Sequence, residues 1–450
     1  MRKLLIVFLL ACTAASALER QPNQDYRARR EALAKKMGEG VAVIFGATEA
    51  STGDAIWGFH QEAYFYYLTG WAEPGAALLI VPDTRNAPPA NNARSGAPAP
   101  APHGYAEILF LPARNKVQER WTGEKLGADS PNAAAATGFE KVESLEQLPA
   151  ELAKLLPDKV LTLEPGYGQS SPVHDIVNWL EAANLASGAR FQNISPLLDE
   201  LRQVKDAGEI ALLRKATDAS VAAHFAAFRA VKPGGTEREI SALMQYEFGR
   251  RGCERPAYAP IVGAGLNSTV LHYSADSGPI RDGDLVLMDV AGEYSMYASD
   301  ITRTLPANGN FTARQREIYD IVLGAQQAAI AAFVSGKSKL RGDGADSLYT
   351  IAKDYMNAHG KDVHGGQLGQ YFIHGLGHYV GLSVHDPGDY NVPLSPGMVF
   401  TIEPGIYIPE EKLGVRIEDT FYVDRDGKLI NLSRSLPSKA EEVEAIMRSK

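Results

Sequence analysis

The sequence predicts an α/β domain over residues 18–200 followed by an α+β domain over 204–450 that is built twice on one plan. Three observations point this way. Apolar strand-like runs alternate with helical patterns up to about residue 200. Beyond Val204 the order helix, helix, strands occurs twice in succession. Within those strands, Gly283 to Asp289 lies over Gly397 to Glu403, each a glycine turn followed six positions later by an acid.

Residues 1–17 stand outside this body. Arg2 and Lys3 precede an apolar run from Leu4 to Ala11, and Ala15-Ser16-Ala17 has the small-x-small pattern of a cleavage site. A secretory signal peptide is expected, too short to span a bilayer, with export to a periplasmic or extracellular space. Leu9-Leu10-Ala11-Cys12 loosely resembles a lipoprotein processing site, so lipid anchoring at Cys12 is the alternative fate. After cleavage at Ala17 only Cys253 is left, which excludes an intrachain disulfide and a thiolate metal cluster. Any metal would then be held by oxygen and imidazole. The leader carries two bases and no acid, leaving 43 basic residues against 54 acidic ones. That balance suggests neither nucleic acid nor an anionic membrane as a partner. No other apolar run is long enough to cross a bilayer.

In the first domain a helical pattern from Tyr26 to Met37 leads into a strand, Val41 to Phe45. Further strands are expected at Ala76 to Val81, Ile108 to Leu111 and Val160 to Leu163. Segment 86–104, rich in Pro, Ala and Asn, cannot bury enough apolar surface to offset its ordering entropy. It is expected to be a flexible surface insertion without a catalytic role.

The second domain opens with a long amphipathic helix, about Glu209 to Val231, stopped by Pro233-Gly234-Gly235. Thr236 with Glu239 forms a capping box that starts the next helix, ending near Gly252. Strands follow, Leu285 to Asp289 the clearest. Thr312 with Gln315 then opens a helix from Ala313 to about Phe333, a further helix ends near His359-Gly360, and strands return.

The duplicated strands carry the chemistry. Asp289 and Glu403 end runs that read as fully buried, and a second acid follows each on the next strand, Asp300 and Glu418. A lone buried carboxylate must neutralise or find a partner, and a salt bridge to Arg303 or Arg416 would serve any one of them. Four acids at duplicated positions would repel one another without cations among them. A pair of divalent metals is the economical solution, suited to activating water and clamping a tetrahedral intermediate. His374-Gly375-Leu376-Gly377-His378 and then His385 place imidazoles at a spacing that suggests a tight segment converging near one point. Its glycines would let backbone approach a ligand closely. His272 is a further candidate, with nothing local to mark it.

These motifs, from Leu287-Met288-Asp289 through Ser299-Asp300-Ile301-Thr302-Arg303-Thr304, His374 to His378, Val384-His385-Asp386 and Ile402-Glu403-Pro404-Gly405 to Val415-Arg416-Ile417-Glu418-Asp419, resemble the pita-bread metallopeptidases of family M24. The resemblance runs from about residue 204 to 445. It implies a pita-bread catalytic domain with a pseudo-twofold internal duplication. It also implies that Asp289 chelates one metal, that Asp300 and Glu418 bridge two, and that His378 and Glu403 complete the second. By the same resemblance His272 stabilises the developing oxyanion, His385 positions the substrate, and Glu403 doubles as the group handling the water proton. Tyr258 and Arg416 match positions that orient the metal site, and His374 one that lines a proline pocket.

Tyr66-Tyr67-Leu68-Thr69-Gly70 followed by Glu73-Pro74 resembles the N-terminal domain of the aminopeptidase P and prolidase members. The implied activity is metal-dependent release of an N-terminal residue that precedes proline. An Xaa-Pro dipeptidase is the alternative, and a non-catalytic peptide-binding protein on the same fold a more distant one. Hard oxygen ligands with one imidazole suit manganese, with cobalt or zinc also able to occupy the site. The resemblance further implies a homo-oligomer.

Overall fold

A computed structural model describes residues 18–38, 40–49, 57–82, 104–155, 159–162 and 190–449. The leader with Cys12, and segment 86–104 apart from Gly104, lie outside the described residues.

The first domain is a six-stranded mixed sheet of β1 (Val41–Phe45), β2 (Ala77–Pro82), β3 (Tyr105–Leu111), β4 (Val142–Ser144), β5 (Lys159–Thr162) and β6 (Arg190–Asn193), in the order β4-β3-β2-β1-β5-β6. β1, β2 and β3 pair antiparallel, while β4, β5 and β6 join in parallel. Both faces are covered, as continuous apolar runs require. Ala42, Ile44, Leu78 and Ile80 point into one core, and Val41, Val43, Ala77 and Leu79 into the other. The helix Asn23–Met37 begins one turn earlier than its apolar periodicity suggests, because Pro22 sets its N-terminal boundary. Its Arg30 is fully buried in a bidentate pair with Glu107 on β3 and also donates to the Leu68 carbonyl.

The helix Ser195–Gln203 leads through Val204, Lys205 and Asp206 into the long helix Ala207–Ala230. Asp206 caps that helix in a capping box with Glu209 and is also held by Arg29 and Gln21 of the first domain. The boxes at Thr236 and Thr312 form as the sequence predicts, opening helices Glu237–Gly249 and Ala313–Ala332. A fourth helix, Leu348–His359, packs on the last of these.

The sheet region of the second domain starts with β7 (Arg255–Pro256) and β8 (Ile261–Ala264). The first half then runs β9 (Leu285–Asp289), β10 (Gly292–Tyr294), β11 (Tyr297–Ala298) and β12 (Thr302–Pro306). The second runs β13 (Val399–Ile402), β14 (Gly405–Ile408), β15 (Leu413–Arg416) and β16 (Asp419–Val423), with β17 (Leu429–Asn431) beyond. In each half the outer strands pair antiparallel and enclose a short hairpin. Gly283 and Gly397 both adopt positive φ, the conformation that turns the chain into each apolar strand.

The two registers are not identical. Asp289 stands opposite Thr302, whereas Ile402 stands opposite Asp419 and Thr401 opposite Thr420. The overlay of Asp300 on Glu418 is therefore shifted by two positions in strand pairing. A shift of two keeps every side chain on its original face, so both acids still point the same way. The halves meet where the Glu418 amide donates to the Thr302 carbonyl and the Thr304 hydroxyl bridges the Arg416 backbone.

Candidate metal centre and cleft

Each proposed carboxylate ligand sits beside the end of a strand that its apolar neighbours bury. Asp289 closes β9, Asp300 precedes β12, Glu403 follows β13 and Glu418 precedes β16. Together with His378 they line a single cleft of about 640 Å³. Asp300, His378 and Glu418 each offer a ligand atom, and these atoms lie within 4.8 Å of one another.

Electrostatics alone leaves this cluster unsatisfied. Arg416 pairs with Asp289 at 2.6 Å, as a single-acid salt bridge requires, but Arg303 turns away to Asp419. The Tyr258 hydroxyl lies 2.5 Å from an Asp289 oxygen and 2.6 Å from an Asp300 oxygen. One phenol carries one hydrogen, so only one of those oxygens can accept it. Glu418 is 1% exposed; its Oε2 accepts from the Thr302 hydroxyl, while its Oε1 is buried with no hydrogen-bond partner among the described residues. Burial, then Asp300, Glu403 and Asp289, holds the Glu418 carboxyl well above the ordinary carboxylate range. Burial and Asp289 raise Asp300 in the same direction, and burial takes Glu403 to about 7. Carboxylates in this state have a place for a cation.

The histidine fits that need. His378 Nδ1 donates to the Tyr379 carbonyl, which turns Nε2 toward Asp300 at 3.2 Å and Glu403 at 3.4 Å. Fixing one ring nitrogen on a carbonyl so that the other faces a metal is the usual second contact of a histidine ligand. Burial disfavours charge on this imidazole, but Asp300 and Glu403 outweigh it and raise the group to about 9. The orphaned Glu418 oxygen, the shared phenol proton and the oriented imidazole all suit divalent metal.

The remaining predicted residues divide. His272 is exposed at the cleft wall without a hydrogen-bond partner among the described residues. The His385 ring stands edge-on to His378, centroids 4.2 Å apart. His374 lines the same cleft but does not converge on the carboxylates. Its Nδ1 contacts the Gly375 carbonyl and its Nε2 the Tyr407 hydroxyl, each at 2.8 Å, and burial followed by Arg416 lowers it to about 4. A neutral imidazole with both nitrogens engaged offers substrate its ring. The glycine spacing also has a different reason from the expected one. A Cβ on Gly377 would lie 2.0 Å from the Thr401 carbonyl oxygen, so the close approach is to β13 rather than to a ligand.

Sequence reasoning named Arg416 and Tyr258 as groups that orient the site, but it missed the hydroxyls around them, those of Thr302, Thr401 and Tyr407. Arg416 reaches one ligand, Asp289, through Nη2, and holds the Tyr407 hydroxyl through Nη1 and the Thr302 hydroxyl through Nε. Thr302 passes this contact to Glu418, and Thr401 donates to Glu403. Threonine two residues from each acid, in Asp300-Ile301-Thr302 and Thr401-Ile402-Glu403, was the available signal.

Comparison with known proteins agrees with this geometry. Residues 211–425 match the model of metallopeptidase family M24, and residues 26–162 that of the aminopeptidase P N-terminal domain. The chain is 34% identical to the Xaa-Pro aminopeptidase of Escherichia coli, covering 94% of this chain and 97% of the relative. It is 33% identical to mouse Xaa-Pro aminopeptidase 3, covering 90% and 80%. Among solved structures, E. coli aminopeptidase P with the inhibitor Pro-Leu superposes with a TM-score of 0.82 at 32% identity, covering 96% of this chain and 99% of that one. The chain belongs to metallopeptidase family M24, as a pita-bread enzyme of the aminopeptidase P type.

Proposed function

We propose that the chain is a dinuclear metal-dependent aminopeptidase that releases the N-terminal residue from peptides with proline in second position. The observation that carries this reading is the convergence of Asp300, His378 and Glu418 on one point in the cleft, in a chain whose near-full-length relatives are Xaa-Pro aminopeptidases. Asp289, Asp300, His378, Glu403 and Glu418 would hold two divalent cations, whose contribution is to polarise the scissile carbonyl and acidify water.

The chain's own groups supply the rest. Tyr258 and Arg416 fix the orientation of Asp289 and Asp300, so that the acids do not turn to relieve their repulsion. Glu403, with its Oε1 held by Thr401, takes the proton of the attacking water and delivers it to the departing proline nitrogen. His272 donates to the oxyanion from the cleft wall, and His385 beside His378 positions the peptide. The His374 ring, immobilised on Tyr407, forms part of the wall against which proline packs.

Manganese is the expected metal from the donor set. Exhaustive chelation should abolish hydrolysis of an Xaa-Pro-Xaa tripeptide, and manganese should restore it, with elemental analysis giving two metals per chain. Full activity after chelation would overturn the metal reading, and a tripeptide cleaved much more slowly than an Xaa-Pro dipeptide would make the enzyme a dipeptidase. The leader sequence supports export; the mature N-terminus, read by mass spectrometry, should be Leu18.

A further inference from the structure

The cleft holds a cation that the mechanism above does not use. Arg341 lines the same cavity as the metal ligands, on the segment between the helices Ala313–Ala332 and Leu348–His359. Its position is built rather than incidental. Leu340, the preceding residue, is buried in the core formed by these helices and the second-half strands. Lys339 is tied by backbone and side chain to Asp346 and by its carbonyl to Leu348, and the Ser338 carbonyl accepts from the Leu394 amide. With Leu340 anchored inward, Arg341 turns out into the cleft.

There the guanidinium lies over the ring of Tyr390, 4.0 Å from its centroid. A Cβ placed on Gly375 would sit 3.6 Å from Arg341 Nε, so the group stands beside the His374-Gly375 wall. It makes no hydrogen bond or ion pair among the described residues. Arg416, the other arginine of the cleft, spends its nitrogens on Asp289, Tyr407 and Thr302. The ring of Tyr390 holds the guanidinium at the cleft and leaves its donors without a partner among the described residues, and a guanidinium matches a carboxylate bidentately. The acids of the cleft are committed to the metal centre, so the carboxylate must come with the ligand.

We infer that Arg341 is a specificity residue that pairs with the free C-terminal carboxylate of a short peptide substrate, on the His374 side of the cleft. This rests on the Xaa-Pro peptidase reading. It makes the enzyme sensitive to where a peptide ends as well as to the proline near its start.

The test uses Ala-Pro, Ala-Pro-Ala and Ala-Pro-Ala-Ala, each as free acid and as C-terminal amide, with the metal-loaded full chain. At one of these lengths the acid should exceed the amide in kcat/KM by about fivefold, ~1 kcal/mol, the upper range for a solvent-exposed ion pair. The preference should fade in 1 M salt. Arg341→Gln should bring the acid-to-amide ratio to about one, Arg341→Lys should restore part of it, and Arg341→Glu should invert it. Equal rates for acid and amide at every length, or a ratio unchanged in Arg341→Gln, would overturn the assignment of Arg341 alone. Failure to cleave any of the six peptides would instead overturn the peptidase reading.

Discussion

Replacing Asp300 with alanine is expected to lower kcat/KM on an Xaa-Pro-Xaa peptide by at least about a thousandfold, since it deletes a ligand that both proposed metals share. The same change should have an opposite effect on the metal-free fold. Asp300 lies within reach of Asp289, Glu418 and the Tyr258 hydroxyl, and burial with Asp289 raises its carboxyl. Removing it relieves like-charge repulsion among buried acids and lets Tyr258 give its one hydrogen to Asp289. The metal-free variant should therefore melt at or above the temperature of the metal-free parent. Saturating manganese should raise the Tm of the parent and leave the variant almost unmoved, because ligand binding stabilises only in proportion to affinity for the folded state. Calorimetry with and without metal, beside elemental analysis, reads both effects. Two metals retained per Asp300→Ala chain with near-normal turnover would remove Asp300 from the centre.

That trade of stability for chemistry explains why so much of the site could be read from sequence. Acids at the ends of buried strands violate the ordinary rule for carboxylates, and Asp289 and Glu403 violate it at duplicated positions. The capping boxes at Thr236 and Thr312 and the strands at Val41 and Leu285 depend on contacts a few residues apart, which a linear pattern records. The two-residue difference in strand register between the halves depends on how β12 meets β15 and β16, and no local pattern encodes it. Long-range partners were hidden for the same reason. Arg30 reaches Glu107 across 77 positions, and Arg202 reaches Asp386 across 184. Arg341 was passed over because its surroundings, Lys339 to Asp346, look like any charged surface turn. Only the fold shows Leu340 facing the core and its neighbour facing the cleft.

Asp386 is the other residue whose loss should have a large effect, and for a different physical reason. It follows His385 directly, yet its side chain turns inward, away from the cleft. Its Oδ1 accepts from Arg202 at 2.6 Å and from the Ser383 amide, its Oδ2 accepts from Lys205 at 2.9 Å, and all three charged side chains are at most 3% exposed. Arg202 belongs to the helix that connects the two domains and also lies over the ring of Tyr64 in the first. The acid thus fastens the His385 segment to the junction. Burial alone would raise its carboxyl, but Arg202 and Lys205 outweigh burial and hold it below the ordinary range. Its ionisation therefore adds stability that is full above the unfolded value near 3.8 and is lost as pH falls toward the depressed folded one. Asp386→Ala strips two buried cations of the one carboxylate within ion-pair distance among the described residues, leaving only the more distant Glu62 and Glu209, a change that typically costs about 3–5 kcal/mol. Urea unfolding at pH 7 should show a midpoint lowered accordingly, and turnover should fall with it as His385 loses its anchor. The comparison that isolates charge from packing is the triple variant Arg202→Met, Lys205→Met, Asp386→Leu. If an unpaired charge is the cause, removing all three should cost less stability than removing the acid alone, because none of the three ions is left to desolvate. A triple variant that is less stable than Asp386→Ala would mean that this cluster holds the domains together by shape, and that its charges are incidental.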